Sequence, residues 1–315
     1  MPKNGKAVVG YFGSQALQRD GNAPFINWAR SVLNGENGPS TVERAVFRDS
    51  STYWNDVFIG YWAQAEAYAQ WCSRDDVADW WSNPSHLTGD AGIWREVFTV
   101  AEGRQETLFS SPNPTGLGAA TGTLHGPVQE HNYWGASRDR MPDSDVDMFA
   151  PANPEGMPDP IIRETRGKRI RPSLPDNVCL IRSGQNWSDC SADELRSYLD
   201  RVKPVLVAGL AYLRDYPVEA SCFSCRSMDE LELDGTELDK GFAMALFKSL
   251  EHQESWTSSH PTHLSIYNAF IEMVQTRGGA TDLKLWHEVM VLSGKGCDLE
   301  YVNCHPRTGV LPFFS

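Results

Sequence analysis

At 315 residues the chain can bury a sizeable core, as one large domain or two small ones. A formal charge of -13 and a pI near 5.0 argue against a nucleic-acid backbone or an anionic membrane surface as partner, since both select for Lys and Arg. The expected ligand is small and neutral or cationic, and the 11 Trp spread along the chain suit large interior surfaces or an apolar pocket.

The chain opens MPKNGKAVVGYFG, which has neither an apolar signal core nor a small-residue cleavage site, and no apolar run approaches the roughly 18 residues that span a bilayer. An intracellular, cytoplasmic protein is expected. Strand signals begin at 7–13 and recur at 42–49, 56–62, 92–100 and 106–111, with helical patterns at 24–35 and 74–81 between them. Pro and Gly crowd around 112–126 and 151–175, which reads as connections. Further strands are expected at 177–184, 238–247, 282–292 and 298–304, alternating with a long amphipathic helix over 191–216 and a helix opening at His260-Pro-Thr-His263. Seven cysteines, an odd number unevenly spaced, predict free thiols. Cys222-Phe-Ser-Cys225 has no second pair at zinc spacing, so two incidental thiols are preferred to half a zinc site; Arg226 stands where c-type haem attachment needs His.

The two halves of the chain echo each other. Trp94-Arg-Glu-Val97 matches Trp286-His-Glu-Val289, and ahead of each comes a Trp, a polar stretch and His-Leu, Trp81 to His86-Leu87 and Trp256 to His263-Leu264. An α+β fold follows: one domain over 1–315 built from two duplicated ferredoxin-like halves, about 1–125 and 126–315, antiparallel sheets packed sheet to sheet with helices outside. The space between sheet and helices in one half could become a pocket.

Pro261 fits the first turn of a helix, with Ser259 or His260 at or near its N-cap. His263 then shares a face with Ile266, Tyr267 and Phe270, an apolar wall, while His260 faces backbone or solvent. Over 283–291 the alternation sets Leu283, Leu285, His287, Val289 and Val291 on one face. Either histidine alone reads as a core imidazole bonded to a neighbour. Two of them in one sheet-helix layer could instead bracket a group. No HxxxH or HExxH supplies a metal site, and His305 in Asn303-Cys-His-Pro306 reads at least as well as a structural residue. A porphyrin iron needs only one protein nitrogen at an apolar wall and leaves the opposite position open for chemistry.

From about Val8 to Leu311 the chain resembles the haem-containing aldoxime dehydratases. The resemblance rests on the stretches 130–142 (EHNYWGASRDRMP), 180–187 (LIRSGQNW), 259–264 (SHPTHL), 285–289 (LWHEV) and 301–306 (YVNCHP). It implies a b-type haem, ferrous in the active form, a homodimer, and dehydration of a small-molecule aldoxime to a nitrile. It places the axial haem ligand on His263, in the second half, the catalytic histidine on His287, the substrate-positioning serine on Ser183, the catalytic arginine on Arg140 and the active-site glutamate on Glu106.

The reaction removes hydroxide from nitrogen and a proton from carbon. An imidazolium at neutral pH suits both transfers, acting as acid and then base, and His287 is assigned that part. Ser183 would donate to the oxime hydroxyl, and Arg140 would hold the distal network or a haem propionate. Glu106 reads as well as a surface carboxylate on a strand, Ser183 as a core serine bonded to backbone, and Arg140 as a solvated or interface ion pair. Arg95 and His86 occupy the matching places in the first half and are expected to be structural. Rival readings are a haem peroxidase or chlorite-decomposing enzyme on a related scaffold, and a haem carrier or gas sensor without turnover.

Overall fold

A computed structural model describes residues 5–122, 124, 126 and 134–314. The apolar runs read above become the strands β1 (Lys6–Ala16), β2 (Thr41–Arg48), β3 (Trp54–Trp62), β4 (Gly92–Ala101), β5 (Gln105–Phe109), β6 (Arg169–Ile170), β7 (Cys179–Asn186), β8 (Cys222–Leu231), β9 (Glu237–Phe247), β10 (Lys284–Val291) and β11 (Cys297–Val302). Every pairing is antiparallel, and the order across the sheet is β5-β10-β7-β9-β8-β2-β3-β1-β4-β11-β6. The architecture is thus mixed α+β around one large antiparallel sheet. The expectation of two sheets packed face to face needs correcting: β2 and β8 pair over Arg44–Val46 and Asp229–Leu231 and join all the strands edge to edge.

This sheet curls on itself. Arg226 on β8 ion-pairs with Glu96 on β4, four strands further along, and Tyr61 on β3 meets Arg182 on β7. Its inner face holds one core of Tyr11, Ile59, Tyr61, Trp94, Met244, Trp286 and Tyr301, drawn from both ends of the chain. Outside, α1 (Ala23–Val32), α2 (Ala65–Cys72) and α3 (Asp75–Ser82) seat Phe25, Trp71 and Trp81 on Val8, Phe12, Phe58 and Trp62. A short α4 (Gly116–Thr121) follows β5. Over β7 to β10 lie α5 (Ala192–Ser197), α6 (Lys203–Asp215), α7 (Leu250–Ser259) and α8 (Pro261–Thr276), and α9 (Leu311–Phe314) ends the described chain. Among the described residues no helix is long and apolar enough to cross a membrane.

The long helix expected over 191–216 is present but interrupted. A π turn over Tyr198–Val202 separates α5 from α6, and it stands just before Pro204, which has no N–H for the regular ladder. At two places on the inner face a tryptophan needs a glycine beneath it. Gly13 pairs with Trp94 and Gly184 with Trp286, and a Cβ on either glycine would stand 2.2 Å from the indole. Two exchanges matter for the site. From the N-terminal part of the chain, β5 crosses to pair with β10, and from the C-terminal part β11 pairs with β4.

Candidate active site on the outer face of β10

His287 sits mid-strand on β10 with Ser183 of β7 as its partner on one side and Leu108 of β5 on the other. Alternation along β10 turns Leu283, Leu285, Val289 and Val291 to the same outer, helix-covered face, as the sequence predicted. Ser183 shares that face and is half-buried, and the row continues to Ala243 on β9. Glu106 stands opposite Val289, one pleat along from Leu108, so β5 carries its carboxylate toward the imidazole.

The contacts assemble three of the predicted residues. Glu106 Oε1 lies 2.8 Å from His287 Nε2, a close contact off-axis for a well-aligned hydrogen bond. Arg140, on the turn Ser137–Arg140, clasps the same carboxylate in bidentate fashion, Nε to Oε2 and Nη2 to Oε1, each at 3.1 Å. Arg140 Nη2 also donates to the Trp134 carbonyl at 2.8 Å, and the Trp134 indole meets the His287 ring edge to face at 5.4 Å. Glu106 is only 4% exposed. Burial by itself would raise its carboxyl, but the His287 ring and then Arg140 outweigh this and hold it below the usual carboxylate range. The surface-carboxylate reading of Glu106 and the solvated-ion-pair reading of Arg140 are therefore set aside.

His263 enters from the first turn of α8. His260 is the N-cap, its Nδ1 accepting the Thr262 N–H, and Pro261 opens the helix. His260 stacks on Tyr212, while His263 packs edge-on against Trp256 at 4.7 Å. Trp256 packs onto the same cluster as Val289 and Val291, and Phe270 of α8 onto the one holding Leu283. His263 and His287 thus occupy one layer on one side of the sheet. The apolar wall is narrower than expected: Tyr267 is 53% exposed, because α8 turns Ile266 toward Gly209 of α6 and Phe270 toward β10 instead.

A haem iron needs a neutral imidazole at the edge of an apolar layer. His263 fits: burial lowers its pKa against the opposing pull of the Thr257 carbonyl, and its Nδ1 is buried without a formed hydrogen bond. The matching residues of the first half are committed elsewhere. Arg95 bridges Asp298 and Glu300 at 3.1 Å each, and His86 Nε2 lies 2.9 Å from the Trp80 carbonyl. His305 is held by Asp49 at 2.8 Å and packs on Tyr53, a structural part. Cys222 and Cys225 are buried free thiols on β8. A cavity of about 550 Å³ between the ends of β2 and β8 is lined by none of the five predicted residues. Trp134 is the site residue that residue patterns did not single out. It lies 153 positions from His287, and only the quoted stretch 130–142 contained it; Glu130–Tyr133 of that stretch lie outside the described residues.

Comparison with known proteins identifies a family. Residues 10–310 match the model of the haem-containing dehydratase family. The chain is 38% identical to the phenylacetaldoxime dehydratase of Bacillus sp. (strain OxB-1), covering 99% of this chain and 89% of that protein. It is 36% identical to the aliphatic aldoxime dehydratase of Pseudomonas chlororaphis, covering 97% and 87%. A crystal structure of an aldoxime dehydratase in complex with butyraldoxime superposes with a TM-score of 0.89 at 32% identity, covering 100% of this chain and 88% of that one.

Proposed function

The chain belongs to the haem-containing dehydratase family, and from that premise we propose that it converts aldoximes, R–CH=N–OH, to nitriles and water with a ferrous b-type haem that His263 would hold. The observation that carries the reading is the buried chain Arg140, Glu106, His287, with Ser183 as the cross-strand neighbour of the imidazole. Ferrous haem, when bound, would supply an electron-rich Lewis site for the oxime nitrogen, which weakens the nitrogen–oxygen bond.

The residues of the chain do the rest. His287 gives its proton to the departing hydroxyl oxygen and then accepts the proton leaving carbon. Glu106, kept ionised, stabilises the protonated ring from the Nε2 side. Arg140 fixes that carboxylate in place and, through the Trp134 carbonyl, ties down the segment whose indole walls the imidazole. Ser183 donates its hydroxyl to the oxime oxygen. Leu108, Val289 and the Trp134 ring keep water from the transferring protons.

We also read the whole as one domain of two ferredoxin-like halves, about 1–125 and 126–315, with the haem pocket in the second. The mirror order β10-β7-β9-β8 and β2-β3-β1-β4, with the paired glycine–tryptophan contacts, supports that reading. A cytoplasmic location accords with seven unpaired cysteines, and a homodimer follows from the family resemblance.

The test is the absorption spectrum of the purified protein, oxidised and reduced, followed by anaerobic addition of phenylacetaldoxime or butyraldoxime. A haem spectrum and nitrile formation in the reduced form alone are expected. Peroxide turnover by the ferric form without nitrile would favour the peroxidase reading, and haem without turnover of either would favour a carrier.

A further inference from the structure

His287 and Ser183 are direct partners across β10 and β7, and so are their chain neighbours Glu288 and Arg182. Because successive side chains alternate, the first pair faces the helix layer and the second faces the closed interior. There Arg182 is fully buried, its guanidinium carbon 3.9 Å from the ring centroid of Phe242 and 4.5 Å from that of Trp286. It donates to the Tyr61 hydroxyl and lies 2.6 Å from Glu43 Oε2 and 4.0 Å from Glu288 Oε1. Tyr61 donates to Glu288 Oε2 at 3.2 Å, and the Leu117 N–H at the head of α4 donates to Glu288 Oε1 at 2.8 Å.

We propose that Arg182, Glu288 and Tyr61 are positioning residues for the dehydration: a buried polar lock behind β7 and β10 that fixes the register at which Ser183 and His287 face each other. It rests on the assignment of those two residues to the reaction. A slip of β10 by one residue would turn His287 into the interior and Glu288 outward. A slip of two would keep the faces but separate Ser183 from His287 by about 7 Å. The apolar residues of this inner face, Leu180, Phe242, Met244 and Met290, would tolerate such a slip, being similar in kind from pleat to pleat. The polar contacts do not: a two-residue slip of β10 would set Trp286 or Met290, neither a carboxylate, where Glu288 accepts from the Tyr61 hydroxyl and the Leu117 N–H, and a slip of β7 would draw Arg182 away from Glu43.

The first half lacks this arrangement. Glu96, the counterpart of Glu288, has Tyr11 and Leu299 as its cross-strand partners and takes its arginine, Arg226, from β8 across the barrel. Among the described residues, the acid and base set directly opposite each other at this position occur behind His287 and not behind Arg95.

The experiment uses the haem-loaded enzyme and compares Tyr61→Phe, Arg182→Met and the triple variant Arg182→Met/Glu43→Gln/Glu288→Gln, which leaves Glu230 as the remaining carboxylate beside position 182, with His287→Ala as control. Each lock variant should keep the parent's haem spectrum while kcat falls by about 10- to 100-fold and KM changes far less, the scale of an ångström-sized misplacement. The triple variant should recover thermal stability relative to Arg182→Met without recovering kcat. Parent-like kcat, within about twofold, in haem-loaded Tyr61→Phe and in the triple variant would overturn the proposal, and these two decide it should Arg182→Met fail to fold. Undiminished nitrile formation by His287→Ala would instead overturn the assignment of His287 beneath it.

Discussion

Arg140 and Glu106 meet through two parallel hydrogen bonds of 3.1 Å, and the same Glu106 oxygen that faces Arg140 Nη2 also stands 2.8 Å from His287 Nε2. One buried carboxylate therefore serves an arginine that is always charged and, in the proposed reaction, an imidazole that carries a proton for part of the cycle. Glu106→Gln keeps the shape and removes the charge. It should retain haem and lower kcat by about 10²- to 10⁴-fold, the range for positioned acid–base catalysis. Steady-state nitrile formation checks this, and parent-like kcat would refute the role given to Glu106.

Losing His263 and losing His287 should have different signatures. His263→Ala should lose the haem absorbance, since no other imidazole is proposed to bind the iron. His287→Ala should keep the haem spectrum and lose nitrile formation. A His263→Ala protein with a full haem complement would send the search for the axial ligand elsewhere.

Titration of the two carboxyl environments should act on stability in opposite directions. Glu106 is held below its ordinary pKa, chiefly because the His287 ring and Arg140 overcome burial, so its contribution is present above the unfolded value and is lost as pH falls through the folded one. Glu230 and Glu288 are raised from 4.5 to about 7, by burial against the pull of Arg182. Arg182 compensates one carboxylate, and Glu43, 2.6 Å away, takes it. Their contribution is full below 4.5 and fades as pH rises through about 7. The urea midpoint of Glu288→Gln should fall less than the parent's between about pH 5 and 8; equal slopes would mean Glu288 is ionised throughout.

Gly184→Ala and Gly13→Ala should both destabilise the fold, by about 1–3 kcal/mol each, because a methyl at either position meets an indole at 2.2 Å. Only Gly184→Ala should also slow turnover, since Gly184 adjoins Ser183 and pairs with Trp286, the neighbour of His287. Thermal melts and kcat of both variants check this. Equal turnover losses in the two would count against a reacting pair set on β7 and β10.

The elements that were legible in sequence are those with one apolar face. Strand periodicity located β1, β3, β7, β9 and β10, and Pro261 with a capping His260 marked the head of α8. What escaped has a physical explanation. In β8, Arg226 and Glu230 point inward where apolar residues would mark the period, because their charges are met by Glu96 and Arg182 from distant strands. In α7, LEHQESWTSS offers too few apolar side chains to define a face.

Residue chemistry and local periodicity sufficed to nominate His263 and His287, because alternation and helix capping are properties of a few consecutive residues. Only the folded chain decided that β5 crosses over to pair with β10, which carries Glu106 to His287 and lets Arg140 clasp it. It alone set Glu288 opposite Arg182 behind the site. Pairings between segments tens to hundreds of residues apart are chosen by the burial of the whole sheet and by which charges must find partners inside it, and no local pattern carries that information.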